Sequence, residues 1–454
     1  MDQSAFFSNT GCPYFPCHQT DDPYSFNCLF CYCPLDALGE QCGGRFSYTE
    51  NGIKDCSDCV IPHRADAAAY IRTRFPEIAE RAGIRPSPLR IEHGDTLTGR
   101  EAFDDFNRRI APPDEAAGSR CRAHWDSIAK PLNGLGLLEK SVMRIAALTG
   151  SENVSIGKRA VLVLCADSGI VAEGVTQTDA SVTETMAKRI SEGRSSVCMM
   201  AKSAGADVYA VDIGMNHPVE GVMDMSVGRG TANMSEGPAM TDDQAYRAIA
   251  NGIKLAKACA ERGYRILVTG EMGIGNTSAA SAVASVLLGL PAEAVTGRGA
   301  GLSDDGLERK RDAIRRAIAV NAPDPDDAFD VLKKLGGFEL AGLAGVYIGA
   351  AMERIPVLID GFPSSVAALA ASRLVPNCII AMLASHCSAE PAAKAVLSEL
   401  ELSPLLFADL KLGEGTGAVC MLPLLDAALS VYNGSVSFDD AGIGRYVPQQ
   451  GDER

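Results

Sequence analysis

The feature that most constrains the fold is a set of short apolar runs that recur along most of the chain. Most of the runs are aliphatic or β-branched and do not alternate with polar residues, which is typical of strands buried on both faces. They include RAVLVLCAD, DVYAVDIG, YRILVTGEMG, RIPVLIDGF, NCIIAMLAS and LLFADLKLG. Because helical segments separate them, the sequence predicts an α/β fold with a parallel, Rossmann-like sheet flanked by helices. Ligands are then expected outside the carboxyl ends of the strands.

Composition and charge argue against two classes of function. The chain has 454 residues, of which 46% are apolar, which is enough for a large core and more than one domain. The net charge of −15 argues against a nucleic-acid partner held through its phosphates. No apolar run approaches about 18 residues, so no spanning helix and no membrane partner are expected. The N-terminus MDQSAFFSNTGC lacks the segments of a signal peptide, which predicts a cytoplasmic protein.

Eight of the fifteen cysteines lie in the first sixty residues, and this density indicates metal binding in a reducing compartment. Two C-x-x-C knuckles, Cys28/Cys31 and Cys56/Cys59, have the arrangement of a zinc-ribbon-like site in which each knuckle gives two sulfurs to one tetrahedral ion. A second site is predicted from the remaining cysteines and two histidines, namely Cys12, Cys17, Cys33, Cys42, His18 and His63. The alternative is a redox-active or metal-free cluster. The small apolar content of this segment predicts that structural zinc supplies much of its folding free energy.

These patterns divide the chain into four predicted parts. Residues 1–64 form the cysteine-rich module, and residues 65–109 form a short helix and a linker broken by prolines. Residues 110–448 form the large α/β domain, and residues 449–454 form a tail. No carboxylate or histidine cluster in the large domain has the spacing of a catalytic metal site, so the chemistry there is expected to proceed without a metal.

The most informative loop, VTGEMGIGNTSAASAV, runs from Val268 to Val283. Gly273 and Gly275 allow close approach of the backbone to a ligand, and Asn276 and Thr277 are predicted to begin the next helix. A helix start with free N–H groups, glycines and hydroxyls is suited to phosphate. The loop matches neither the Rossmann fingerprint nor the P-loop, so no nucleotide motif identifies the ligand.

Two further glycine loops carry positive charge. One contains Gly297, Gly299 and Gly301 and is followed by Lys310, and the other, around Arg229, reads SVGRGTANMSEGPAMT. Each loop taken singly is better explained as a tight turn. Three such loops in one α/β domain favour an anion site.

Two isolated carboxylates, Glu271 and Glu414, stand among these glycines. A carboxylate in a partly dry pocket has a raised pKa and can act as a base near neutral pH. The alternative for Glu414 is a carboxylate at a helix start, stabilised by the helix dipole. From the residues alone, the interpretation reaches a phosphosugar-handling α/β enzyme.

Several motifs together resemble one enzyme family. They are KLGEGTGA, GEMGIGNTS, RGTANMSEGPAMT, GGFELAGLAG, IPVLIDGF, ASHCSAEP and CADSGIVAEGVTQT, with AHWDSIAKPLNGLG similar to the family's opening helix. From about Ile110 to Leu429 the chain is similar to the nicotinate-nucleotide–dimethylbenzimidazole phosphoribosyltransferases. The cysteine-rich head resembles a separate small module of zinc-binding type.

The resemblance implies transfer of the 5-phosphoribosyl group of nicotinate mononucleotide to a lower-ligand base such as 5,6-dimethylbenzimidazole. The products are nicotinate and an α-riboside 5′-phosphate for the cobalamin nucleotide loop. The resemblance also implies a parallel sheet with a smaller helical domain, a homodimer, and catalysis without a metal.

Site residues follow from the resemblance position by position. Glu414 matches the catalytic base that takes the proton from the benzimidazole nitrogen, Glu271 matches a second acid, and Lys310 matches a lysine near the phosphoribosyl group. The substrate-binding positions implied in this way are Glu271, Gly273, Ile274, Gly275, Asn276, Thr277, Lys310, Gly413, Thr178 and Met186.

The chain departs from the family at the base pocket. A serine and a glutamine of the family fall on Thr178 and Met186, so a hydroxyl is kept and an amide is lost. A purine, a phenolic compound or another benzimidazole is therefore an alternative acceptor. Two other classes of function stay open at this point: an NAD-dependent oxidoreductase on a Rossmann sheet, and a non-catalytic, zinc-dependent protein that binds a cobamide or a base.

Overall fold

The computed structural model separates the chain into two compact units, Met1–Ser87 and Pro88–Arg454. It describes residues 7–18, 20, 22, 25–49, 54–81, 89, 91, 97 and 99–447. The predicted tail, residues 449–454, lies outside the described residues. We refer to the first unit as the head.

The head is built from short elements around few apolar side chains. Its described residues form two 3₁₀ helices (Pro34–Cys42 and Ile61–His63), the antiparallel strands β1 (Ser47–Tyr48) and β2 (Lys54–Asp55), and helix α1 (Ala67–Arg81). Its core consists of one small cluster of buried residues: Leu35, Leu38, Cys42, Ala67, Ile71 and Ile78.

The compact units divide between Ser87 and Pro88, a point that lies between the predicted boundaries at 64 and 109. Helix α1 belongs to the head because Ala67 and Ile71 pack in the same apolar cluster as Leu35 and Leu38. The sequence suggested a linker because prolines and charges dominate this region, and these do not reveal which face of a helix is buried.

The second unit contains one six-stranded sheet in which every pair of neighbouring strands is parallel. The strand order is β5-β4-β3-β6-β7-β8, which confirms the predicted parallel α/β sheet. The strands are β3 (Arg159–Ala166), β4 (Ala206–Gly214), β5 (Met223–Asp224), β6 (Ile266–Met272), β7 (Val357–Ile359) and β8 (Met382–Ala384).

Helices cover both faces of this sheet. Alternate residues of β3 belong to two different apolar clusters: Leu162 and Leu164 to one, Val161 and Val163 to the other. This is why the strands read as continuous apolar runs. The helices are α2 (Glu101–Arg109), α3 (Glu115–Ser127), α4 (Leu137–Thr149), α5 (Ser181–Ser191), α6 (Ser196–Ser203), α7 (Asp242–Glu261), α8 (Asn276–Leu288), α9 (Ala292–Val295), α10 (Asp304–Asn321), α11 (Ala328–Leu335), α12 (Phe338–Met352), α13 (Phe362–Leu374), α14 (Ala393–Glu399), α15 (Thr416–Val419), α16 (Met421–Gly434) and α17 (Phe438–Ala441).

Helices α7 and α12 cross so closely that their main chains touch. A Cβ atom on Gly252 would lie 1.9 Å from the carbonyl oxygen of Gly342, and one on Gly345 would lie 1.9 Å from that of Ile249. Only glycine fits such a crossing. The glycines of the motif GGFELAGLAG are thus explained in part by helix packing.

The sheet and the helices around it belong to one compact unit, Pro88–Arg454. One expectation is corrected here. Among the described residues, one stretch, Thr416–Gly434, is long and apolar enough to span a membrane, with a mean hydropathy of 1.2. The prediction of no such stretch was therefore wrong. Half of it is buried within the protein, as in a core helix, so this stretch is weak evidence for a membrane span.

Candidate active site

A cavity of about 390 Å³ lies next to the carboxyl ends of the central strands, within the size range of small-molecule sites. Its wall contains every substrate-binding and catalytic position predicted above. These are Thr178, Met186, Glu271, Gly273, Ile274, Gly275, Asn276, Thr277, Lys310, Gly413 and Glu414. Residues from five separate segments thus meet in one place.

Glu414 sits in a loop with three consecutive left-handed residues. The φ angles of Gly413, Glu414 and Gly415 are 86°, 61° and 92°. The loop presses directly onto strand β6, since a Cβ atom on Gly270 would lie 2.5 Å from the carbonyl oxygen of Glu414. The flanking glycines therefore permit the turn and the contact with β6.

Asp360 directly follows β7 and holds this loop in place through hydrogen bonds. Its two carboxylate oxygens accept hydrogen bonds from the backbone N–H groups of Gly415 (3.2 Å) and Ala418 (3.0 Å). Asp360 is 2% exposed and also lines the cavity. A carboxylate bonded to the N–H groups at the start of α15 acts as a cap supplied from a distant strand.

The Glu414 side chain points to the start of another helix. Its carboxylate accepts a hydrogen bond from the N–H of Val197, in the first turn of α6 (3.4 Å). Burial raises the pKa of Glu414, while hydrogen bonds from Val197 and Ser195 oppose the rise and the charge of Asp360 adds to it. Glu414 is thus held by a helix start and is also a carboxylate whose pKa is shifted toward neutrality.

Glu271 is the second-last residue of strand β6 and lies close to Glu414. Its carboxylate accepts a hydrogen bond from the Asn276 side chain, and the backbone N–H of Glu414 donates to the Glu271 carbonyl (3.3 Å). The pKa of Glu271 is raised well above its ordinary value by burial, and then by the charges of Asp360, Glu339 and Glu414. Glu271 is therefore suited to hold a proton at neutral pH.

The predicted phosphate loop joins β6 to α8. Gly275 has a φ of 96° and precedes Asn276, the first residue of the helix. A Cβ atom on Gly273 would lie 2.3 Å from the Ala166 carbonyl oxygen, so this glycine lets the loop pass over the end of β3. The first turn of a 13-residue helix thereby opens into the cavity, which suits an anion.

Lys310 reaches this helix start from α10. Its ammonium donates to the Thr277 hydroxyl (2.8 Å) and to the Gly297 carbonyl (3.3 Å). Lys310 is 1% exposed, and burial lowers its pKa to about 8, with the charge of Glu390 acting in the opposite direction. The Gly297–Gly301 loop therefore adjoins the Gly273–Thr277 loop, as the anion-site prediction requires.

The third glycine loop does not take part. Arg229 forms an ion pair with Asp212 (3.3 Å) and is not among the described residues that line the cavity. A Cβ atom on Gly228 would lie 3.0 Å from the Phe338 ring, and the Thr231 hydroxyl accepts a hydrogen bond from the Gly169 N–H (3.1 Å). This loop is therefore better explained by packing than by an anion site.

Several polar residues of the cavity wall were not predicted as site residues from the sequence, among them Arg298, Asp360 and His386. His386 is buried against Gly417, and its Nδ1 is 3.0 Å from the Ser385 hydroxyl. Burial lowers its pKa, so its ring is neutral. The strand-end position of Asp360 in IPVLIDGF was the available signal for that residue.

Thr178 and Met186 lie on the wall formed by the segment before α5 and by α5 itself. Thr178 is exposed and Met186 is half-buried. Ser196, from α6, also faces the cavity. This wall is open and is formed by side chains, in contrast to the main-chain wall at Gly273–Thr277.

In the head, the grouping of metal ligands differs from the predicted one. The ligand atoms of Cys17, Cys31 and His63 lie within 4.8 Å of one another, and this is the one group of three or more potential ligands found at that spacing among the described residues. The two knuckles do not meet in such a group. The ring of His63 donates from Nδ1 to the Asn27 carbonyl (2.9 Å), which leaves Nε2 facing Cys17 (3.7 Å). A second-sphere hydrogen bond of this kind is usual for a metal-bound histidine, so these residues fit zinc.

Comparison with known proteins assigns both parts of the chain. The family model described as phosphoribosyltransferase matches residues 110–443, and that described as cysteine-rich small domain matches residues 3–83. The nicotinate-nucleotide–dimethylbenzimidazole phosphoribosyltransferase of Acetivibrio thermocellus is 44% identical over 326 residues, 71% of this chain and 93% of that protein. The chain belongs to this phosphoribosyltransferase family.

Two further relatives agree with this assignment. The protein of the same name from Escherichia coli is 41% identical over 336 residues, which cover 73% of this chain and 94% of that protein. The crystal structure of the enzyme from Thermus thermophilus aligns with a TM-score of 0.69 and 38% identity, over 73% of this chain and 100% of that chain. The family assignment excludes the oxidoreductase alternative.

Proposed function

We propose that the chain transfers the 5-phosphoribosyl group of nicotinate mononucleotide to a benzimidazole-type base, with Glu414 as general base. The observation that carries this proposal is the position of one buried carboxylate and one helix start with a lysine on the wall of the same cavity. The relatives carry the name of this reaction.

The donor is held in this proposal by the main chain from Gly273 to Thr277 and by Lys310. Because the N–H groups of Asn276 and Ser278 donate to the carbonyls of Gly273 and Gly275 (3.2 and 2.9 Å), the phosphate accepts from the N–H of Thr277 in this proposal. The ammonium of Lys310 neutralises part of its charge. Fixing the phosphate also fixes the ribose, so the anomeric carbon is presented to the acceptor.

The proposed reaction is a substitution at the anomeric carbon. Glu414 accepts the N–H proton of the base, whose nitrogen forms a bond to the anomeric carbon. The bond from that carbon to the pyridine nitrogen of nicotinate breaks, and nicotinate leaves with the electron pair. Attack from the opposite face gives the α-riboside 5′-phosphate, and Glu271 holds its proton beside the site. No cofactor or metal takes part in any of these steps.

The proposed function also includes an acceptor base, a structural zinc site and a homodimer. Thr178 and Met186 form the acceptor wall, and the names of the relatives support 5,6-dimethylbenzimidazole or an analogue as the base. We propose a transferase domain from residue 110 to 448 and structural zinc in the head at Cys17, Cys31 and His63. The family resemblance supports a homodimer in the cytoplasm, with no nucleic-acid or membrane partner, and light scattering in solution tests the dimer.

The decisive experiment mixes nicotinate mononucleotide with a panel of bases and analyses the products by mass spectrometry. We expect nicotinate release only when an acceptor is present, and a riboside phosphate of the matching mass. Release without any acceptor would indicate a hydrolase, and binding without release would indicate the non-catalytic alternative. Either result would contradict the proposal.

A further inference from the structure

Both knuckles of the head have the closed turn that presents two sulfurs to a metal. The Cys31 N–H donates to the Cys28 carbonyl (3.2 Å), and the Cys59 N–H donates to the Cys56 carbonyl (2.9 Å). Each knuckle is thus preformed locally. The open question is whether the two knuckles share an ion, because the turn alone does not decide which other ligands each one meets.

The second knuckle meets cysteines other than those of the first. A Cβ atom on Gly44 would lie 2.7 Å from the sulfur of Cys59 and 3.7 Å from that of Cys42. The Gly44 N–H also donates to the Cys42 sulfur (3.4 Å). The sulfurs of Cys42 and Cys59 therefore lie on the same side of Gly44 and face the same space.

A cavity of about 80 Å³ occupies that space, and Cys33, Cys42, Cys56 and Cys59 all line it. These four cysteines form one set, and Cys17, Cys31 and His63 form another.

The two sets are neighbours. Cys31, His18 and His63 form another part of the wall of the same cavity. Lys54 also lines it and forms an ion pair with Asp36 (3.3 Å). An ammonium beside four thiolates offsets their negative charge, and such outer partners are usual around thiolate sites.

We propose that the head binds two zinc-class ions and that each knuckle serves a different one. Cys33, Cys42, Cys56 and Cys59 form a four-thiolate site, next to the site of Cys17, Cys31 and His63. In the structure no three of these four sulfurs lie within 4.8 Å of one another, whereas the ligand atoms of Cys17, Cys31 and His63 do. Metal binding draws them inward, and the four thiols lose their protons to solvent as the metal–sulfur bonds form. No oxidation or reduction takes place.

Crossed double variants of the full chain test this grouping through the zinc content after reloading with Zn²⁺. We expect two ions per chain in the original protein. Cys33→Ser plus Cys56→Ser removes two ligands of one proposed site, so one ion should stay. Cys31→Ser plus Cys56→Ser removes one ligand from each site, so both ions should be lost or bound at least 10-fold more weakly.

The grouping predicted from the knuckles gives the opposite pattern. There Cys31 and Cys56 share one ion, so that pair would leave one ion bound, while Cys33 plus Cys56 would remove both. Either of these results, or a single ion in the original protein, would overturn the proposal. Tyr32→Ser is the matched control, since Tyr32 lies between Cys31 and Cys33, is 98% exposed and supplies no ligand.

A variant that keeps all eight sulfurs addresses misfolding. Gly44→Ala places a methyl group against Cys59 and Cys42, so one of the two ions should exchange with a chelator at least 10-fold faster than in the original protein. The other ion should exchange at its original rate. Equal acceleration of both ions, or of neither, would contradict a separate second site.

Discussion

The two walls of the active-site cavity are built in different ways. The wall proposed to hold the donor, Gly273–Thr277 with Lys310, is mainly backbone at the start of α8. The wall proposed to hold the acceptor presents the side chains of Thr178 and Met186, from α5 and the segment before it, and of Glu414, from a loop more than 200 residues later. A backbone wall changes only if the fold changes, whereas a side-chain wall changes with single substitutions. Donor recognition is therefore expected to vary less between relatives than acceptor recognition.

The largest effect is expected at the acceptor wall. Glu414→Gln keeps the shape of the side chain and removes the base, so kcat should fall by about 10²- to 10⁴-fold. The affinity for nicotinate mononucleotide should not change, because the donor wall is intact. Single-turnover kinetics and calorimetric binding of the donor measure the two quantities.

The pH dependence of kcat/KM in the original protein and in Glu414→Gln is a further check on the role of Glu414. Burial raises the pKa of Glu414, and the carboxylate form is the active one. In the original protein kcat/KM should therefore decline on acidification at a higher pH than for an ordinary glutamate, and this acid limb should be absent in Glu414→Gln. An unchanged acid limb in the variant would assign the titration to another group.

The donor wall should respond in the opposite way. Lys310→Met removes a charge-assisted contact to the phosphate that is worth about 1.5–3 kcal/mol. The KM for nicotinate mononucleotide should rise by roughly 10- to 100-fold, with a smaller change in kcat. An effect on kcat alone would break the proposed division between the walls.

Lys310 also predicts an alkaline limb. Its pKa of about 8 lies below the ordinary value of 10.5, so the charged form is lost as the pH rises through 8. The kcat/KM for the donor should decline there, and not in Lys310→Met. The free energy of unfolding changes in the opposite direction. Between about pH 8 and 10.5 Lys310 is protonated in the unfolded chain and neutral in the folded one, so stability rises with pH in this window.

A smaller effect is expected at Asp360, which positions the loop of Glu414. Asp360→Asn keeps one acceptor for the N–H groups of Gly415 and Ala418 and removes a negative charge near Glu414. We expect a kcat lower by about 10-fold and an acid limb moved to lower pH, because the charge of Asp360 is one cause of the raised pKa of Glu414. A lower kcat with an unmoved limb would indicate only loss of structure.

The smallest effect is expected at Met186. Met186→Gln introduces the amide that the family resemblance implies at this position, and we expect a shift of a few-fold in kcat/KM among acceptor bases, within the range of one added hydrogen bond. Donor KM should stay constant. Equal changes for every base would show that Met186 does not contribute to acceptor choice. Met199→Gln, on an exposed part of α6, is a matched control.

The sequence predicted those features that depend on local conformation. The buried strands follow from uninterrupted apolar runs, and the helix start at Asn276 follows from the glycines before it. Positions carried over from the family, Lys310 and Glu414 among them, all line one cavity. Whether they act as proposed is a matter for the kinetic tests above.

Features that depend on distant contacts were not predicted. Asp360 caps a helix more than fifty residues away, and nothing near Asp360 reveals this partner. The C-x-x-C knuckles are visible locally, but the cysteines that each one faces depend on how the head folds. Arg229 stood in a loop of the expected type, yet its charge is used by Asp212.

The left-handed conformation of residue 414 has a practical consequence for chemical rescue. A glycine at this position would remove the carboxylate and also adopt a φ of 61° without steric cost. The substitution would then leave a cavity with the shape of the Glu414 side chain. Small exogenous acids such as formate or acetate are natural candidates to occupy it and to restore turnover in proportion to their concentration.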